Sequence, residues 1–107
     1  MTTIDVDLCI AAGPWLNDHF PGDPLVPGAV LLDEISAALR AAVPQFGMLT
    51  GIAQARFLQP VRPPAALRVQ AQCTSGRADF TAVDLTTGVP AVRGSFRFAG
   101  TAAVNGV

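Results

Sequence analysis

Only one stretch of this 107-residue chain reads as a helix, and it is fenced at both ends. Ala29 to Ala42 (Ala-Val-Leu-Leu-Asp-Glu-Ile-Ser-Ala-Ala-Leu-Arg-Ala-Ala) is rich in strong helix formers and free of Gly and Pro. Pro27-Gly28 stands just before it and Pro44 just after, residues that punctuate helix ends. Apolar side chains occupy most of its circumference, which predicts a largely buried helix. The other patterned segments read as strands. Ile4, Val6, Leu8 and Ile10 alternate with Asp5, Asp7 and Cys9, the period of a half-buried strand. Met48–Phe57, Leu67–Gln72, Ala78–Leu85 and Val92–Phe98 read as four more, separated by Pro63-Pro64, Ser75-Gly76 and Thr87-Gly88. A strand, one apolar helix and a run of four antiparallel strands is an α+β pattern, and one sheet wrapped on the helix would bury it. Residues 1–107 are expected to form a single domain, because a chain of this length has no room for a second core. The tail from Gly100 onward carries no pattern and is expected to fray.

Charge narrows the partners. Eight acidic residues oppose seven arginines, with no lysine, for a net charge of −1. A basic face is what nucleic-acid binding requires, so nucleic acid is not expected. Only 14% of residues are charged while 50% are apolar, which leaves little polar surface to cover a monomer and predicts a subunit interface. No apolar run is long enough for a membrane-spanning helix. Met1-Thr2-Thr3-Ile4-Asp5 lacks the basic start and apolar stretch of a secretory signal. Cys9 and Cys73 lack the spacing of a metal or redox pair and read as free thiols, so the expected location is the cytoplasm.

The chemistry concentrates just ahead of the helix. His19-Phe20-Pro21-Gly22-Asp23-Pro24-Leu25-Val26-Pro27-Gly28 holds three prolines and two glycines in ten residues. Such a segment is neither helix nor central strand, but a stiff, shaped loop. It carries His19, the only histidine of the chain, whose ordinary pKa near 6.5 suits a general base. A lone histidine is more often structural. A nucleophilic hydrolase is poorly supported: no Gly-x-Ser-x-Gly elbow occurs, neither cysteine has an adjacent base, and Ser36 is a weak partner for His19. No phosphate loop or dinucleotide fingerprint occurs. On the helix, Asp33, Ser36 and Arg40 follow an i, i+3, i+7 spacing and read by themselves as a solvated stripe. Read as chemistry, they leave a base at His19, a carboxylate on the helix and a backbone N–H at Gly28, on the helix N-terminus, where the dipole favours a developing oxyanion. Those three parts suit proton abstraction beside a carbonyl with loss of a β-hydroxyl.

The His19–Gly28 segment, followed by an apolar helix with Asp33, resembles the signature of bacterial 3-hydroxyacyl-acyl-carrier-protein dehydratases of the hot-dog fold. Gly51-Ile52-Ala53-Gln54-Ala55-Arg56-Phe57-Leu58-Gln59-Pro60-Val61 resembles the strand and turn that follow the helix in that family. The matches run over roughly residues 17 to 70. By this resemblance His19 is the catalytic histidine, Asp33 the helix acid and Gly28 the oxyanion glycine. Glu34, about 100° round the helix from Asp33, ranks second as the acid. Trp15 and Phe20 flank His19 and are candidate substrate contacts. Larger members have a further N-terminal helix and strand where this chain has only Ile4–Ile10. It therefore resembles the short branch found with aryl-polyene and related acyl-chain assembly systems.

The resemblance further implies a homodimer with edge-to-edge sheets and sites shared across the interface, His19 from one subunit and Asp33 from the other. No metal or organic cofactor is implied. The acyl group would arrive on the phosphopantetheine arm of an acyl carrier protein, usually acidic, which requires a local basic rim. Arg56, Arg62, Arg68, Arg93 and Arg97 are candidates, although alternating strand arginines commonly form a plain solvated face. Phe57, Phe96 and Phe98 could line an acyl tunnel, although strand aromatics more often form plain core, and only Trp15 and Phe20 are kept as candidates. Two other functions share these features: a hot-dog thioesterase, and a non-catalytic carrier-binding subunit of a heterodimer.

Overall fold

The five segments that read as strands in the sequence become five strands of one antiparallel sheet. β1 spans Thr2–Ile10, β2 Leu49–Phe57, β3 Ala65–Thr74, β4 Arg77–Asp84 and β5 Val89–Phe98, in the spatial order β1-β3-β4-β5-β2. The helix, α1, runs Gly28–Ala42, and a 3-10 turn follows over Pro44–Phe46. The computed structural model describes residues 2–11 and 25–100. His19, Trp15 and Phe20 lie outside the described residues, as does the tail beyond Gly100. Gly100 itself is tied down, its N–H donating to the Phe46 carbonyl at 2.8 Å.

Period 2 decides which side chains are covered. Leu67, Val69, Ala71 and Cys73 of β3, Ala78, Phe80 and Ala82 of β4, and Val92, Phe96 and Phe98 of β5 are all buried in one core. α1 supplies Leu31, Ile35 and Leu39 to the same core, spaced four residues apart on one face. The helix is less buried than its composition suggests. Ala29, Ala37, Ala41 and Ala42 are exposed together with Asp33, Glu34 and Arg40. Alanine is apolar and a strong helix former, so it raises apolar content without demanding a core position. Ser36 departs from the expected solvated stripe: it is buried, its hydroxyl donating to the Asp33 carbonyl at 3.0 Å.

Phe46, on the turn after α1, closes one end of the core by stacking on Phe98, with ring centroids 4.5 Å apart. Two tight turns connect β3 to β4 and β4 to β5. Gly76 and Gly88 adopt φ of +70° and +76° there, the left-handed region that favours glycine. Asp84 is buried yet satisfied, its carboxylate accepting the Thr86 N–H at 2.9 Å. Among the described residues no helix is long and apolar enough to cross a membrane.

β2 differs from the other strands. It is an edge strand paired only with β5, and its register slips twice, between Leu49 and Gly51 and between Ile52 and Gln54. From Ile52 to Phe57 every residue is exposed, so both faces of that half are uncovered in the single chain. Ile52 and Phe57 are 47% and 50% exposed there.

Candidate active site

Pro27 and Gly28 set the geometry of the helix start. Pro27 precedes the first helical residue with φ −58°, and its carbonyl accepts the N–H groups of Val30 and Leu31 at 3.0 and 3.1 Å. The N–H groups of Gly28 and Ala29 have no acceptor among the described residues. They sit at the positive end of the α1 dipole. The Val26 N–H donates to the Val61 carbonyl at 2.8 Å, which fixes the approach to α1 against the loop leaving β2.

Between these two segments lies an open groove of about 410 Å³, lined by Leu25, Gly28, Leu31, Phe57, Leu58 and Val61 among others. It is predominantly apolar and reaches the helix N-terminus at Gly28. The Phe57 ring crosses that residue closely: a Cβ on Gly28 would stand 2.7 Å from Phe57 Cζ. Glycine is required there for close approach rather than for an unusual backbone angle. Sequence reasoning set Phe57 aside as a core aromatic, whereas it is half exposed and forms a wall of the groove. Its place at the end of a strand, three residues before Pro60 in the segment resembling the dehydratases, was the available signal.

Asp33 does not face its own chain's groove. It follows Gly28 by five residues, about 140° round the helix, and is exposed. Glu34 is exposed beside it. The structure thus brings Gly28 and Phe57 together and holds Asp33 on the outer side of the helix. Ser36 is committed to the Asp33 carbonyl and is not available as a nucleophile's partner. Of the arginines suggested as a rim, Arg68 pairs with Asp7 across β1 and β3, with Nε to Oδ1 at 2.9 Å. The Arg68 guanidinium holds the Asp7 carboxyl below the usual carboxylate range. Arg56, Arg93 and Arg97 are exposed and have no carboxylate partner among the described residues.

Residues 2–94 match the family model described as ApeI-like, ApeI dehydratase. The chain is 33% identical over 104 residues to the 3-hydroxyacyl-acyl-carrier-protein dehydratase FabZ of Syntrophotalea carbinolica, covering 87% of this chain and 58% of that protein. The chain therefore spans less than two thirds of the length of that relative. Among solved structures, an uncharacterized protein from Erwinia carotovora subsp. atroseptica superposes with a TM-score of 0.75 at 24% identity, covering 92% of this chain and 83% of that one. The dehydratase heterocomplex ApeI:P from Xenorhabdus doucetiae superposes with a TM-score of 0.72 at 18% identity, covering 89% and 85%. These structural likenesses show the fold, which is the hot-dog fold.

Proposed function

Because the chain belongs to the ApeI-like dehydratase family, we propose that it dehydrates 3-hydroxyacyl thioesters to trans-2-enoyl thioesters. The observation that carries this reading is the Gly28 N–H at the start of α1, in the wall of an apolar groove. A thioester carbonyl placed against that amide gains most when its oxygen becomes negative, which is the requirement for an enolate-like transition state. His19 takes the C2 proton. The C2–H electron pair forms the C2=C3 bond, the C3–O bond breaks, and the departing hydroxyl receives a proton from Asp33 and leaves as water. Hydration is catalysed equally, since the equilibrium is untouched. The acyl group is delivered by an acyl carrier protein, as the name of the FabZ relative suggests.

The position of Asp33 supports a shared site. An acid about 140° away from its own groove serves a partner's groove more readily than its own. The uncovered half of β2 supports the same arrangement, since a second copy paired along that edge would cover Ile52 and Phe57. The reading is therefore a homodimer with two sites, each built from both subunits.

Hydration of a crotonyl thioester, followed by enoyl absorbance, tests the assignment. His19→Ala and Asp33→Asn are each expected to lower turnover by at least about 100-fold with the fold retained by circular dichroism. Unchanged hydration by either variant refutes its role. Release of free thiol without change in the enoyl chromophore would instead make the protein a thioesterase.

A further inference from the structure

β1 is the second edge of the sheet, and unlike β2 it is regular. It pairs with β3 without a register break, from Thr2 opposite Cys73 to Ile10 opposite Ala65, and it contains no proline, glycine or lysine. Its outer side has no paired strand among the described residues. Natural edges are commonly blunted by a bulge, a proline or a lysine, and β1 has none of these. Ile4, Val6 and Leu8 are only partly buried, whereas Ala71, Val69 and Leu67 opposite them are closed off from solvent. The apolar layer is thus left unfinished along this edge. The strand also reads nearly the same in both directions about Val6: Asp5 mirrors Asp7, Ile4 mirrors Leu8, and Thr3 mirrors Cys9. Such a strand meets a copy of itself, antiparallel across a two-fold axis, with like residues opposite one another.

That symmetry sets the two faces of β1 in conflict. Centred on Val6, self-pairing places Ile4 opposite Leu8 of the second copy and Val6 opposite Val6, which carries the apolar layer from one sheet into the next. On the outer face the same register places Asp5 opposite Asp7 of the second copy, twice in each contact. Like charges directly opposed across strands are destabilising. Sliding does not remove the conflict. Centred on Asp5 or Asp7, the carboxylate meets its own copy; centred on Ile4 or Leu8, much of the strand is left unpaired.

We propose that β1 is a pairing edge for a second copy of this chain, kept unpaired at neutral pH by the charges of Asp5 and Asp7. Arg68 of β3 is the charged group that faces them, with its Nε 2.9 Å from Asp7 Oδ1. Gln70 and Gln72 beside it are uncharged, Cys9 is the other titratable group on this face of β1, and α1 packs on the opposite face. Arg68 therefore balances one carboxylate of each opposed pair and leaves the other unmatched. The contact is separate from the proposed β2 dimer and from the dehydratase chemistry. Two copies joined along β2 still present a β1 edge at each end, so β1 pairing would not close but grow into a ribbon. The two aspartates guard against that growth.

Light scattering of the full chain at neutral pH tests this. Asp5→Asn, which leaves the Asp7–Arg68 ion pair in place, is expected to raise the mean mass at least twofold over the natural chain at equal concentration. Asp5→Glu keeps the charge, and Asp79→Asn makes the same change in net charge on β4; both are expected to leave the mass unchanged. Each contact holds two opposed pairs, so association of the natural chain takes up as many as two protons. It should strengthen by up to about 100-fold per pH unit as pH falls toward 4, with a weaker dependence in Asp5→Asn. Thr3→Cys added to Asp5→Asn sets a thiol opposite exposed Cys9 of the second copy, and mild oxidation is expected to link copies several-fold more than in Asp5→Asn alone. Circular dichroism verifies the folding of each variant. An unchanged mass in Asp5→Asn overturns the proposal, as does an equal gain in Asp79→Asn or a gain without the Thr3→Cys cross-link. Growth of Asp5→Asn beyond two chains is the result expected with the β2 dimer; assembly that stops at two sustains the β1 contact and refutes that dimer.

Discussion

At the scale of single residues, two glycines with close neighbours, Gly28 and Gly94, illustrate different constraints. Gly28 meets the far end of an aromatic ring that is half exposed, so an added methyl displaces Phe57 rather than backbone. Gly28→Ala is expected to leave thermal stability within a few degrees while lowering turnover about tenfold or more, because the displaced ring closes the groove beside the amide. Gly28→Ala combined with Phe57→Ala should recover part of that loss, and the double-mutant cycle measures the coupling. Gly94 on β5 is hemmed in by backbone: a Cβ there would stand 2.5 Å from the Gln54 carbonyl oxygen and 2.9 Å from Phe80 Cζ. Gly94→Ala is expected to cost about 1–3 kcal/mol in denaturant unfolding, since neither neighbour yields cheaply. Gly51→Ala, with nothing within 4 Å of its added carbon, serves as the neutral control, within about 0.5 kcal/mol.

Among the elements, β2 links stability to function. The tight spot at Gly94 faces the second register slip of β2, where Gln54 pairs with Ser95 and Ala55 with Gly94. Glycine inside a strand commonly marks such a bulge. A strand whose outer half is uncovered on both faces is a poor edge for a monomer, because it presents unpaired backbone groups together with exposed Ile52 and Phe57. Ile52→Glu is therefore expected to shift the protein from the proposed dimer to monomer in sedimentation or light scattering. Activity should fall with it, because in the proposed shared site Asp33 of one copy then loses the groove of the other. A fully active monomeric variant would contradict the shared site. α1 reads differently: its buried positions, Leu31, Ile35 and Leu39, follow directly from four-residue spacing, while its alanines do not declare which side they face.

For the molecule as a whole, the sheet is a polar shell over an apolar core, and its outer face titrates. Asp79 accepts hydrogen bonds from the Ser95 hydroxyl and from Arg77, and these hold its carboxyl below its ordinary value of 3.8. A depressed folded-state pKa contributes stability while the unfolded carboxyl is ionised, and that contribution disappears as pH falls through the folded value. The stability advantage of the natural chain over Asp79→Asn should accordingly be constant above about pH 5 and fade below 3.8, as measured by urea unfolding across pH. Asp79 is 49% exposed, so the effect is expected to be small and salt-sensitive.

The elements were legible because local rules suffice for them. Period 2 marked β1, β3 and β5, β-favouring composition and turn residues marked β2 and β4, all to within a few residues, and Pro27-Gly28 with Pro44 bounded α1. The Pro44–Phe46 turn was not anticipated, since its stability comes from Phe46 packing on Phe98, fifty-two positions away. The resemblance singled out Gly28 and Asp33, and the residues alone left Asp33 undecided between a solvated stripe and a catalytic acid. Three-dimensional packing decided that Phe57 crosses Gly28, that Asp33 turns away from its own groove, and that Arg56 and Arg93 stand side by side. The division has one physical cause. Periodicity and capping depend on neighbours within a few residues in sequence, whereas a groove or a charge patch depends on which distant strands share a register, and register is settled by the packing of the whole sheet.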